Sequence, residues 1–216
     1  MIMTIDPVRM LTEMAQAVSG EDERIVRAAI AQFAETGVRR TSTDDIARRA
    51  GVNRATLYRR LGAKESIVGT AFLYETARVL GEIEAALGDP AETAEIEEYV
   101  ARFFIVTTGA VRDNALLARM LEVDRGQTLE SLTAGAGEVI ALAAQYLSGK
   151  IVAIRRRWAA PDGGAVDTDD VDGIAAVLTR LTQSLLLTPA GPPALDDEEQ
   201  MRMFARTVLT PMIRGR

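Results

Sequence analysis

The segment that most constrains this 216-residue chain is Ser42 to Lys64, STDDIARRAGVNRATLYRRLGAK. Ser42 is a strong helix N-cap, and Asp45, three residues on, completes a capping-box-like pair. Ile46, Ala47 and Ala50 share one face of the helix that follows. Gly51 supplies the backbone freedom needed to leave that helix through a tight turn. Asn53 stands where it caps a second helix, Arg54 to Leu61. There Leu57 and Leu61 face inward, which leaves Arg54, Thr56, Tyr58, Arg59 and Arg60 for solvent or a partner. Two short helices that cross closely at the small Ala47 make a helix-turn-helix, whose second helix is shaped to enter a DNA major groove.

The same stretch resembles a known family. GVNRATLYRRLGAKESI is similar to the signature of tetracycline-repressor-like (TetR) regulators, Gly-Val-x-x-x-Thr-Leu-Tyr-x-x-Phe-x-x-Lys-Glu, with Gly51, Val52, Thr56, Leu57, Tyr58, Lys64 and Glu65 in the matching places. Arg60 stands where His is common, and Leu61 where Phe is common, which puts a smaller side chain in the three-helix core. The close likeness spans residues 24–68. It implies phosphate and base contacts at Ser42, Thr43, Asn53, Arg54, Ala55, Thr56, Tyr58, Arg59, Arg60 and Lys64. Arg54 and Arg59 are the candidates for base readout, because Arg pairs a guanine edge in bidentate fashion; Tyr58 and Lys64 are expected on phosphates.

Net charge is −6, which at first argues against a nucleic-acid partner. Its distribution reverses the argument. Between Arg24 and Lys64 stand ten cations (Arg24, Arg27, Arg39, Arg40, Arg48, Arg49, Arg54, Arg59, Arg60, Lys64) and three acids (Glu35, Asp44, Asp45), so this segment carries +7 and the rest −13. A basic patch attracts DNA even on an acidic protein, since salt screens charges beyond roughly 8 Å. A solvated Arg-rich face is the competing reading.

The chain has no Cys and no His, which removes disulfides, thiolate nucleophiles and the commonest metal ligand and general base. Neither a catalytic residue nor a metal site nor a cofactor is expected. Acidic pairs such as Glu97–Glu98, Asp169–Asp170 and Asp196–Asp197 lie at helix starts, where they favour the dipole. The N-terminus has no basic segment leading into an apolar run, and no stretch approaches the ~20 apolar residues of a membrane helix. The expectation is a cytoplasmic protein without a membrane partner.

Taken along the chain, the pattern predicts an all-α protein of about nine helices. The expected division is an extension over 1–20, a helix-turn-helix domain over 21–68 and a helical ligand-binding and dimerisation domain over 69–216. Residues 1–20 read either as an extra short helix after Asp6-Pro7 or as an arm with a single cation, Arg9. Helices are expected from Asp22 to Thr36, from Lys64 to Leu87 and from Ala91 to Arg112. Further helices should run from Ala115 to Val123, Leu129 to Trp158 and Asp169 to Leu187, with a last one capped by Asp196 and Glu199. Gly135 and Gly137 mark either a weakened first turn or a late start of the long helix.

The family resemblance implies a repressor that binds a palindromic double-stranded DNA operator as a homodimer and is released by a small effector. The seam Val171, Ile174, Leu178, Leu181 and Leu185, with Met201, Phe204 and Val208 on the last helix, is the expected dimer interface. Tyr99, Phe103, Phe104, Thr107, Arg112, Met120, Tyr146 and Trp158 are candidates for an apolar effector pocket, against ordinary core packing. A DNA-binding or architectural protein without an effector is the alternative.

Overall fold

The computed structural model describes residues 13, 15–159, 167–188 and 190–215. The chain is all-α, with no strand among the described residues. Its helices are α1 (Glu21–Thr36), α2 (Thr43–Ala50), α3 (Arg54–Leu61), α4 (Lys64–Leu87), α5 (Ile96–Arg112), α6 (Ala115–Val123), α7 (Arg125–Leu132), α8 (Gly137–Arg157), α9 (Val171–Leu187), α10 (Glu198–Phe204) and α11 (Thr210–Arg214). A 3-10 turn, Pro90–Glu92, precedes α5. Residues 15–17 are helical and Val18 packs on the core beyond; the rest of the expected N-terminal helix or arm lies largely outside the described residues.

The chain forms two compact units, and they do not follow the linear division at residue 68. The first holds Met1–Gly81 and Asp113–Gly135, the second Glu82–Arg112 and Ala136–Arg216. Helix α4 thus belongs to the first unit up to Gly81 and to the second from Glu82.

In the first unit, Ile25, Val26, Ala29 and Phe33 of α1 are buried with Ile46, Ala47, Leu57, Ile67 and Ala71. Leu116 of α6 joins this core, because α6 packs along α1. The close approach is made at Gly37, which ends α1 with φ 86° and ψ 156°. A Cβ there would run into Cγ2 of Val123, the last residue of α6. Glu75 of α4 accepts from Nδ2 of Asn114 at 2.8 Å, while Oδ1 of Asn114 caps α6 through the Leu117 N–H. Arg78 grips both oxygens of Glu75, at 2.8 and 2.7 Å. That guanidinium and the Asn114 amide together hold the Glu75 carboxyl below the usual carboxylate range, against the opposing effect of burial.

In the second unit, α8 packs along α9 and both pack on α5 and the C-terminal helices. Its core includes Tyr99, Val100, Phe104, Ile151, Ile154, Val171, Ala175, Leu178, Met201 and Leu209. Arg155 opens the run Arg155, Arg156 and Arg157 in the last turn of α8, which from the sequence reads as a solvated cap that suits the helix dipole. It is instead buried, with Nε donating to the Ile213 carbonyl at 2.6 Å and Nη1 to the Asp167 carbonyl at 2.7 Å. Its guanidinium also pairs with both carboxylate oxygens of Asp170, which lowers the pKa of that acid. Arg156 and Arg157 stay exposed.

Several helix boundaries depart from expectation for local reasons. The long helix begins late, at Gly137, and α7 is a separate helix before it. The last helix is capped by Asp197, whose Oδ1 accepts from the Gln200 N–H, with Gln200 Oε1 returning to the Asp196 N–H. Its middle, Ala205–Leu209, widens to π geometry just before Pro211, whose ring nitrogen has no hydrogen to donate. Contrary to the expectation that no stretch is long enough, Gly137–Arg157 has the length and apolarity of a membrane span. It nonetheless buries Ile151 and Ile154 in the core and carries Lys150 and Arg155 in ion pairs.

Candidate nucleic-acid interface

The interface is built from caps outward. The Ser42 hydroxyl accepts from the Asp45 N–H at 3.1 Å, and the Asp45 carboxylate accepts from the Ser42 N–H at 3.0 Å. This closes the box that starts α2. The Ser42 hydroxyl and N–H, followed by Arg48, keep the Asp45 carboxyl below its ordinary range. Gly51 leaves α2 in the left-handed conformation, φ 65°, and the Val52 N–H returns to the Ala47 carbonyl. Asn53 Oδ1 then accepts from the Thr56 N–H at 2.8 Å and starts α3.

Helix α3 buries Leu57 alone; Leu61, expected inside, is half-buried. Arg54, Ala55, Tyr58, Arg59 and Arg60 are exposed and Thr56 is partly so. A short helix with one buried residue is held by its neighbours and presents the rest of its surface outward, as a groove-entering helix requires. Tyr58 lies under the Arg54 guanidinium, 5.3 Å from ring centroid to Cζ, and shares a 3.4 Å hydrogen bond with the Thr43 hydroxyl. The Thr43 contact and then Arg54 lower the Tyr58 pKa. Lys64, at the start of α4, points its Nζ at the Arg39 carbonyl, 3.4 Å away.

Two of the residues predicted to touch DNA are placed otherwise. Thr43 is buried and acts on Tyr58 rather than facing solvent. Arg60 is spent on the acids that open α1, at 2.5 Å from Glu21 and 2.9 Å from Asp22. Those acids lie just before the segment from which the +7 was counted; with Glu21, Asp22 and Glu23 included the balance over 21–64 falls to +4. Two cations absent from the predicted site stand on the loop before α2: Arg39 and Arg40 are both exposed. The signal for them was present, since they belong to the basic segment, but their exposure depends on how the loop is held.

The tetR family of bacterial regulatory proteins matches residues 25–71. Over nearly the whole chain the likeness extends to an uncharacterized HTH-type transcriptional regulator of Mycobacterium tuberculosis, Rv1255c. The two are 31% identical over 191 residues, which is 88% of this chain and 85% of that protein. The chain belongs to the TetR family. It is a DNA-binding transcriptional regulator. A second M. tuberculosis regulator of the same description, Rv2250c, is 26% identical over 76% of this chain and 78% of its own length. Among solved structures, the TetR family repressor AlkX from Dietzia sp., implicated in biodegradation of n-alkanes, has a TM-score of 0.58 at 19% identity. That match covers 91% of this chain and 96% of AlkX. The fatty acid degradation regulator FadR from Bacillus halodurans has a TM-score of 0.53 at 17% identity, covering 86% and 98%. Likeness at such identities concerns the fold.

In this TetR-family chain the predicted effector residues do not form one set. Met120 packs into the core of the first unit, because α6 folds onto α1, whereas the other seven belong to the second unit. Tyr99 is fully buried against Trp158, with ring centroids 5.5 Å apart, and the Trp158 indole N–H donates to the Ala94 carbonyl at 3.0 Å. Phe104 is buried against Phe204. These two pairs are core packing. Arg112 is exposed. Phe103 and Tyr146 remain half-buried, 6.4 Å apart, and Tyr146 donates to Glu84, which also pairs with Lys150. Thr107, one helical turn beyond Phe103, has a buried hydroxyl without a hydrogen-bond partner among the described residues.

The predicted dimer seam is also divided. Val171, Leu178 and Met201 are buried in their own core, and Ile174, Leu181, Leu185 and Phe204 pack against it. Of the predicted set Val208 alone is exposed; it is joined on these helices by Val177 and Met203. The 3-4 periodicity reported the face turned inward, since the core and a dimer seam impose the same pattern.

Proposed function

We propose that this regulator is a repressor that binds a palindromic operator as a homodimer and lets go when a small, mainly apolar effector binds. The observation that carries the DNA-facing part is α3: a capped helix with Leu57 buried and Arg54, Ala55, Tyr58 and Arg59 turned outward. In this reading α3 lies in the major groove. Arg59, which has no carboxylate partner among the described residues, reads a guanine edge; Arg54 does so once it leaves its 3.4 Å contact with Asp44. Tyr58, Lys64 and the N-terminus of α2 hold phosphates.

Two half-sites about 34 Å apart need two recognition helices, hence a dimer. Its surface is assigned to the exposed Val177, Met203 and Val208 of the C-terminal helices. The effector is assigned to the surroundings of Phe103, Thr107 and Tyr146, where apolar rings adjoin one unsatisfied hydroxyl and the Glu84–Lys150 pair. Linear alkanes and fatty acids, the compounds named for two fold neighbours, are the first probes. Helix α4 supplies the route, since it begins at Lys64 and ends in the second unit with Leu87 buried. A ligand that favours another tilt of α4 changes the separation of the recognition helices, and a coupling of about 1–3 kcal/mol changes affinity roughly five- to 150-fold.

The test begins with duplexes that the wild-type protein selects from a randomised pool. Arg59→Ala is expected to relax the preference at one defined position, and Lys64→Ala to weaken all sequences alike. Retention of wild-type affinity and preference by both variants refutes the assignment of α3. Operator affinity unchanged at saturating effector refutes the release mechanism.

A further inference from the structure

The ten cations of the basic segment are not equivalent. Six have carboxylate partners: Arg24 with Glu21, Arg27 with Glu23, Arg48 with Asp45, Arg49 with Glu35, Arg54 with Asp44 and Arg60 with Glu21 and Asp22. Arg39, Arg40, Arg59 and Lys64 have none among the described residues. Two of these four, Arg39 and Arg40, sit side by side on the loop joining α1 to α2.

That loop is held at several points. Within it, the Thr41 hydroxyl and N–H both close on the Gly37 carbonyl, at 2.7 and 3.2 Å. Thr41 is itself buried and shares a further hydrogen bond with Thr36. From outside, Val123 fills the space that a side chain at Gly37 would need. The buried Asp124 carboxylate faces the Arg39 N–H at 3.4 Å, and Lys64 Nζ meets the Arg39 carbonyl at 3.4 Å. Asp124 is kept in place through its own carbonyl, which accepts from the N–H and hydroxyl of Thr128 at 3.0 and 2.9 Å. A segment whose backbone is already ordered loses little further backbone entropy when its side chains engage a ligand.

We propose that Arg39 and Arg40 form a second phosphate clamp on the DNA, and that Asp124, which lies outside the DNA-binding stretch matched over residues 25–71, is its positioning residue. The clamp shares its backbone with the Lys64 contact, so Arg39, Arg40 and Lys64 address one stretch of sugar-phosphate backbone while α3 reads bases. The proposal rests on α3 being the DNA-facing helix and extends the interface to the loop before the motif.

The experiment measures binding by the full-length protein over a salt series, on a duplex selected by the wild type from a randomised pool and on a random-sequence duplex. Each phosphate contact contributes about 0.9 to the slope of log K against log salt. Arg39→Ala with Arg40→Ala should flatten that slope by about 2 on both duplexes, without changing the preference between them. Asp124→Ala should flatten it by about 1, while Asp124→Asn, which keeps an acceptor for the Arg39 N–H, should match the wild type. A change in stability alone lowers the active fraction and leaves the slope as it was. A wild-type slope in the double arginine variant overturns the clamp. A wild-type slope in Asp124→Ala, or no rescue by asparagine, overturns the positioning role. If Arg59→Ala keeps the wild-type preference while the arginine pair still flattens the slope, the α3 reading fails and the clamp stands. Failure of the wild type to select any duplex from the pool or to bind the random-sequence duplex overturns both.

Discussion

Replacing Gly37 by alanine tests the way the first unit is assembled. Two penalties add at this position. The backbone, at φ 86° and ψ 156°, lies in a region that glycine alone occupies freely, and a side chain there costs about 1–3 kcal/mol. The new Cβ also overlaps Cγ2 of Val123, and overpacking of this kind costs a further 1–3 kcal/mol or so. The sum, roughly 2–6 kcal/mol, is a large share of the roughly 5–15 kcal/mol that stabilise an ordinary domain. Gly51 is the control. It also has positive φ, 65°, but a Cβ there meets nothing within 4 Å, so Gly51→Ala should cost only about 1–2 kcal/mol. Equilibrium urea unfolding, followed by helical circular dichroism, measures both. The decisive comparison is a double-mutant cycle in which Val123→Ala accompanies Gly37→Ala. The second change removes the overlap and leaves the backbone penalty, so the pair should be less destabilised than the two single effects summed, by about 1–2 kcal/mol. Equal costs at Gly37 and Gly51 with no coupling to Val123 refute the docking of α6 on the end of α1.

Glu75→Gln should destabilise the protein by about 1–3 kcal/mol at neutral pH, because Arg78 and Asn114 lose the charge they bind. Since the folded pKa of Glu75 is depressed, its contribution is complete above the ordinary carboxylate value and fades as pH falls through the lower folded value. Unfolding curves of wild type and variant should therefore converge in acid, and a constant gap refutes the assignment. Thr43→Val should leave unfolding unchanged within about 1 kcal/mol yet weaken DNA binding, because Tyr58 loses the hydroxyl that orients it; titration with labelled duplex measures this. Val177→Glu with Met203→Glu should give a folded monomer by sedimentation, whereas Leu178→Glu, at a residue buried in its own core, should unfold the second unit. A dimer that survives the first pair refutes the surface assigned to it.

What the chain determined by itself lies in short-range chemistry. Ser42 with Asp45, Gly51 and Asn53 specify caps and a turn within a few residues of one another, so the helix-turn-helix and the outward face of α3 were legible before any tertiary contact was known. Apolar periodicity likewise located most helices. What tertiary structure decided is which partner each side chain meets. The cation excess over residues 24–64 did not show that Glu21 and Asp22 pair with Arg60, because Asp22 lies 38 residues from Arg60 in the chain and Glu21 one further. The apolar stripe of α9 marked an inward face without naming what it faces, so Val171 and Leu178 read as a seam between chains and proved to be core. Met120 sat in line with the second unit's aromatics and folded into the first, and Arg155 looked like a solvated helix end until Ile213, Asp167 and Asp170 closed around it. Hydrophobic burial is non-directional, and ion pairs form between whatever charges the fold brings together. Neither leaves a local signature, whereas a capping hydrogen bond closes within one turn of chain and does.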